Sequence, residues 1–94
     1  MSEYTLELSP GALRDYKKLP LHIQKALAFV HLDKIKENPF KNGKPLVGAL
    51  HNERSYHFGR KPEYRVIYYV EDKCVTVTVI GTREDIYKKA KGRR

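Results

Sequence analysis

Arg65, Arg83, Tyr87 and His57 are the side chains whose types and spacing could do chemistry on a phosphate. Arg83 and Tyr87 stand one helical turn apart in Gly81-Thr82-Arg83-Glu84-Asp85-Ile86-Tyr87, so a helix would carry both on one face. Thr82 is a good N-cap residue, and Asp85 lies at the offset of a weak capping box. Arg83 then falls in the first turn, where the helix dipole disfavours a cation. Such an arginine needs an anion from outside the helix, and a guanidinium forks readily onto phosphate oxygens.

The charge of the chain agrees with an anionic partner. Its 94 residues hold 19 Lys/Arg and 11 Asp/Glu, a net of +8, with a pI near 9.7. Residues 1–40 carry six basic and five acidic side chains; residues 41–94 carry thirteen and six. A polyanion contacted by the second half is implied, nucleic acid first among them. The length suits one compact domain spanning 1–94. The apolar runs fall far short of the ~20 residues of a membrane span. A lone Cys74 and the lack of a signal pattern at the start give a cytoplasmic expectation.

The elements that must position these residues can be read from periodicity. Residues 3–8 alternate, with Tyr4, Leu6 and Leu8 on one face of a strand. Ser9-Pro10 starts a helix carrying Ala12, Leu13, Tyr16 and Leu19. A second helix runs from about Leu21 to Glu37 and stops at Asn38-Pro39. It is apolar on two sides, with Ile23, Leu27 and Val30 on one and Ala28, Leu32 and Ile35 on the other. Residues 40–52 read as a surface connection. Three strands follow at about 54–59, 64–71 and 74–80, the last two joined through Glu71-Asp72-Lys73. A short final helix takes 83 to about 91. The order is βααβββα: an α+β fold, an antiparallel sheet with two helices on one face and the other face open.

If Tyr56, Phe58, Val66, Tyr68 and Val70 point to the helices, then His57, Arg65 and Tyr69 point away from them. Arg83 follows the last strand, and Arg60 and Lys61 sit in the loop before the middle one. Cations, a histidine and planar rings thus gather on one side, a surface for phosphates and stacked bases. Other chemistries find no footing. The four histidines include no i, i+4 pair and no zinc spacing, no Gly-rich phosphate loop precedes a helix, and there is no serine nucleophile elbow. No metal or cofactor is expected. Cys74 reads as a structural thiol.

The stretches YTLELSPGALRDYKKLP, PLVGAL and YRVIYYVEDKCVTVTVIGTREDIYKKA, in this order, resemble the RelE/ParE toxin superfamily of type II toxin–antitoxin systems. The resemblance covers nearly the whole chain and implies the RelE-like fold. RelE-like members cut mRNA on the ribosome, whereas ParE-like members inhibit DNA gyrase. The RelE-type enzymes use an arginine in the third strand, an arginine after the last strand and a tyrosine in the final helix. Arg65, Arg83 and Tyr87 match these positions. Those enzymes also use two second-strand lysines, which align near His57 and Gly59; neither is lysine here.

The resemblance therefore implies a metal-independent mRNA endoribonuclease acting in the ribosomal A site. Attack of a 2′-OH on the neighbouring phosphorus needs a base, stabilisation of negative charge and help for the departing oxygen. Arg65 and Arg83 suit the second task. Tyr87, its phenolate favoured by arginines, is a candidate base, and His57 could be acid, base or stacking partner. Arg54, Arg60, Lys61, Lys44 and Lys88 are the expected RNA-binding cations. The expected protein partner is an acidic antitoxin, contacting Leu32 and Ile35 on the second helix and an exposed Ile67 on the sheet. Operator DNA would be bound only through that antitoxin. A ParE-like gyrase inhibitor, and a weakened RNA- or antitoxin-binding relic, stay open as alternatives.

Overall fold

The computed structural model describes residues 3–46, 52–86 and 88–89. Its elements are β1 (Thr5–Leu8), α1 (Pro10–Lys18), α2 (Leu21–Ala26), a π-helical turn (Leu27–His31), α3 (Leu32–Glu37), α4 (Pro39–Asn42), β2 (Lys44–Pro45), β3 (Arg54–Phe58), β4 (Tyr64–Glu71) and β5 (Cys74–Thr82). The α+β architecture is the expected one. Among the described residues no helix is long and apolar enough to cross a membrane.

The sheet order is β1-β5-β4-β3-β2. The hairpins β3–β4 and β4–β5 are antiparallel, but β1 lies parallel to β5, with Leu6 opposite Val75. The chain crosses from β1 through the helices and three strands before β5 comes back beside it, so the sheet is mixed rather than wholly antiparallel. Asp72 and Lys73 make the β4–β5 turn with φ of 52° and 62°, the left-handed pair that matches strand twist in a two-residue hairpin. The short β2, in a stretch expected to be irregular, pairs with β3 at the far edge.

Two local irregularities decide which side chains face where. Ser9 caps α1, its Oγ accepting the Ala12 N–H at 3.2 Å, and α1 is regular. The helix after Pro20 is not. Leu27 and Ile35 would lie about 80° apart on an ideal α-helix. The π turn between them takes up one extra residue and brings them nearly into line, so both are fully buried. This is why the sequence looked apolar on two sides, and why Phe29 and Val30 are left exposed.

The second irregularity is a bulge in β5. Tyr68 faces Val77 while Ile67 faces Val79, so Thr78 is the extra residue. Its hydroxyl donates to the Ile67 carbonyl at 3.3 Å. Val75 and Val77 join Tyr56, Phe58, Val66 and Tyr68 in the core beneath the helices. Val79 turns to the opposite face and forms, with Ile67, Ile86 and the partly buried Leu46, a second small cluster. The expected Val75-Val77-Val79 stripe is therefore broken, and the face expected to be open is partly covered.

Among the described residues no strand lies beside the edge of β5 beyond Leu8, and Ser9 and α1 supply partners there. The Ser9 hydroxyl donates to Thr78 O at 3.4 Å, and the buried Asp15 carboxylate accepts the Ile80 N–H at 3.0 Å. The other Asp15 oxygen pairs with Lys89 Nζ at 3.6 Å, tying the C-terminal residues to α1. Asp15→Ala is expected to cost about 1–3 kcal/mol, because it orphans a buried donor. Asp15→Asn, which keeps an acceptor for Ile80, is expected to cost less. Urea denaturation of the two variants would check both values.

Candidate active site

The register of the two hairpins assembles the site. His57 lies opposite Arg65 on the β3–β4 pair, and Arg65 lies opposite Gly81 on the β4–β5 pair. Their neighbours Tyr56, Phe58, Tyr64 and Val66 are in the core, so His57 and Arg65 take the other face. As the chain leaves β5, the Arg83 N–H donates to Glu63 O at 3.0 Å, which returns Arg83 to the start of β4. Gly59, with φ of 82°, bends the chain out of β3 into the loop carrying the exposed Arg60 and Lys61.

Arg65 is held from one edge. Its Nε donates to Glu63 Oε2 at 3.1 Å, and its Nη2 forms an ion pair with the same oxygen at 3.0 Å. Lys44 sits on β2 opposite Ser55, and it too acts on His57. The His57 pKa is lowered from 6.5, first by desolvation and then by the positive charge of Arg65, with Lys44 and Arg83 adding to it; Glu63 opposes them. His57 is exposed by area, and the three surrounding cations favour its uncharged form at neutral pH.

A stability consequence follows from this direction. Below about pH 6.5 the unfolded chain takes up the His57 proton before the folded chain does. Stability is therefore present above that pH and is lost as pH falls through the folded pKa. His57→Gln is expected to lose less stability than the native chain over this acid range. Thermal midpoints measured from pH 7.5 downward would show it. His31 adds a second decline of the same sign, its pKa lowered by burial and then by Lys34; its Nδ1 lies 2.8 Å from the Tyr56 hydroxyl, and its ring stacks on Phe58.

His57, Arg65, Arg83 and Lys44 are thus brought together. Lys88 is exposed, and Tyr87 lies outside the described residues. Arg54 is not part of the cluster. It sits on the helix side of β3, where its Nη2 donates to Phe40 O and Gly43 O at 2.7 and 2.9 Å and its guanidinium lies over the Phe40 ring. Those bonds hold the end of α4, so the Arg54 guanidinium expected to bind RNA is engaged by backbone carbonyls on the helix side of the sheet. Ile35 is buried in the main core and Ile67 beneath Ile86 and Val79, so neither offers a surface to a partner; Leu32 is half-buried against the core.

Glu63 belongs to this cluster and is absent from the residues expected there. The signal was present: two residues before Arg65, it shares that face by the same alternation. Among the described residues no three His, Cys, Asp or Glu side chains gather as a metal site requires. A cleft of about 200 Å³ near the end of α1 includes Asp15, Tyr64 and Lys89 but none of the clustered cations.

Comparison with known proteins fits this geometry. Residues 6–87 match the family described as "ParE toxin of type II toxin-antitoxin system, parDE". The chain belongs to the RelE/ParE toxin superfamily. It is 32% identical over 88 residues to toxin RelG of Mycobacterium tuberculosis, covering 92% of this chain and 98% of that one. It is 31% identical over 77 residues to toxin RelE of the same organism, covering 82% of this chain and 76% of that one. The toxin–antitoxin complex RelBE2 of M. tuberculosis contains a chain with a TM-score of 0.76 and 29% identity, covering 85% of this chain and 98% of that one. A free double arginine-to-alanine variant of E. coli toxin RelE gives 0.75 and 27%, covering 99% and 98%. The chain is thus a type II toxin of RelE-like fold, and the family match includes Arg65, Arg83 and Tyr87.

Proposed function

We propose that this toxin is an mRNA endoribonuclease acting in the ribosomal A site, and that it is neutralised by a cognate antitoxin. The observation that carries the reading is the convergence of Arg65, Arg83 and Lys44 around an uncharged His57 on one end of the sheet. A scissile phosphate placed there meets two guanidinium groups and an ammonium, which stabilise charge as the 2′-OH attacks phosphorus. The P–O5′ bond breaks, leaving a 2′,3′-cyclic phosphate on one fragment and a 5′-OH on the other.

Two side chains can take the 2′-OH proton, and pH separates them. An uncharged His57 accepts it from below pH 6.5 upward, giving a rate that is already flat at neutral pH. Tyr87 would give a rate still rising above pH 7, since its proton must first be lost. Arg60, Lys61 and Lys88 are solvent-exposed and can track the flanking phosphates.

The test is induction in growing cells with mapping of mRNA 5′ ends, repeated with Arg65→Ala, Arg83→Ala and Tyr87→Phe. Cuts inside codons that the substitutions abolish, and that chelators leave unchanged on purified ribosomes, support this function. A gyrase-inhibiting reading is favoured by one observation, the match to a family described as ParE, with no lysine at His57 or Gly59. Growth arrest with intact mRNA and halted DNA supercoiling would select it.

A further inference from the structure

Among the described residues, Glu63 is the one carboxylate that acts on His57. It precedes β4 and uses two different parts of itself. Its Oε2 accepts the Nε–H of Arg65 at 3.1 Å and lies 3.0 Å from Arg65 Nη2 in an ion pair. Its backbone oxygen accepts the Arg83 N–H at 3.0 Å. One residue therefore grips the guanidinium of the first arginine and the main chain of the second. The Arg65 side chain is 14% exposed and that of Glu63 35%. A partly buried pair that water still reaches on the Glu63 side adds modestly to stability, and its larger value lies in geometry. An arginine free to sample its rotamers would have to be ordered by each incoming phosphate, whereas one gripped along an edge is ordered beforehand.

We propose that Glu63 is a positioning residue of the RNA site, fixing the Arg65 guanidinium beside His57 and anchoring the chain at Arg83; this rests on the endoribonuclease reading above. The groups facing His57 are Arg65 from β4, Glu63 before it, Lys44 from β2 and Arg83 after β5. Among the described residues Glu63 alone of these offsets the cations, so its removal leaves His57 harder to protonate. The rival use of the same contact is a block, in which Glu63 occupies Arg65 until RNA displaces it. The two uses predict opposite results.

The experiment compares the full chain with Glu63→Gln and Glu63→Asp. NMR follows the Arg65 Nε–Hε resonance and the His57 titration, and single-turnover cleavage is measured on ribosomes carrying a defined mRNA. Positioning predicts that Glu63→Gln broadens the Arg65 resonance, lowers the His57 midpoint and slows saturated cleavage roughly 10- to 100-fold, with half-saturation little changed. Glu63→Asp, which keeps the charge, is expected to recover part of each. An unchanged Arg65 resonance, or cleavage at the native rate with tighter ribosome or RNA binding, overturns the proposal. The amide spectrum of each variant reports whether it folds. A native chain that leaves RNA intact overturns the endoribonuclease reading instead, and the two NMR signals then decide the hold of Glu63 by themselves.

Discussion

Arg65→Ala is expected to reduce RNA cleavage by about 10²–10³-fold, the usual cost of removing one preorganised donor to a developing anion. The folded state should scarcely notice. Arg65 points away from the main core, and its ion pair with Glu63 is reached by water. Arg65→Lys is expected to rescue poorly, because an ammonium keeps the charge but has no edge for Glu63 to grip and no fork for a phosphate. The measurement is single-turnover cleavage beside a thermal midpoint for each variant. A large loss of rate at constant midpoint is the expected pair of results; equal losses in both would place Arg65 in the fold rather than in the chemistry.

Tyr68→Ala is expected to do the reverse, costing about 3–5 kcal/mol as other large aromatic truncations in cores do. Tyr68 is fully buried, and its hydroxyl donates to Pro39 O at 2.6 Å. The burial pushes its pKa up to about 12. A Cβ at Gly43 would overlap the Tyr68 hydroxyl and ring, so the backbone just before Lys44 rests directly on this side chain. Tyr68→Phe, which leaves the ring and removes the bond to Pro39, is expected to cost only about 1 kcal/mol. Urea denaturation would separate the two. Loosening this contact also frees the strand that carries Lys44 into the site, so Tyr68→Ala protein that is still folded should bind RNA less tightly.

Both results depend on features that differ in how plainly the sequence announces them. His57 and Arg65 were placed on one face by strict alternation in β3 and β4, and the register bears this out. Alternation cannot announce a bulge, since Thr78 looks like any other residue of a Val-Thr repeat until its partner strand is known. Hence alternation alone puts Val79 on the wrong face and leaves Ile67 exposed, whereas both are buried in the second cluster. The π turn is hidden for the same reason: one extra residue in a helix leaves no mark in composition, only an apolar pattern that fails to settle on one side. The charge of Arg54 is visible in the sequence, but the carbonyls of Phe40 and Gly43 that receive its guanidinium are not. Glu63, two before Arg65, is open to the same alternation arithmetic, but nothing in its type marks it as a partner of a cation cluster.

The parallel pairing of β1 with β5 has a consequence for how the toxin comes into being. Thr5 meets Cys74, sixty-nine positions later in the chain. During synthesis the first strand to leave the ribosome has no neighbour until the last strand has followed it out. The β3–β4 hairpin, with His57 and Arg65, can form early, since its contacts are local. Arg83 is the last of the clustered cations to be made, and it reaches Glu63 only once β5 is complete. The site is therefore finished only once β5 is made, so a chain that stops short of β5 carries half of it and no closed sheet to hold that half in place.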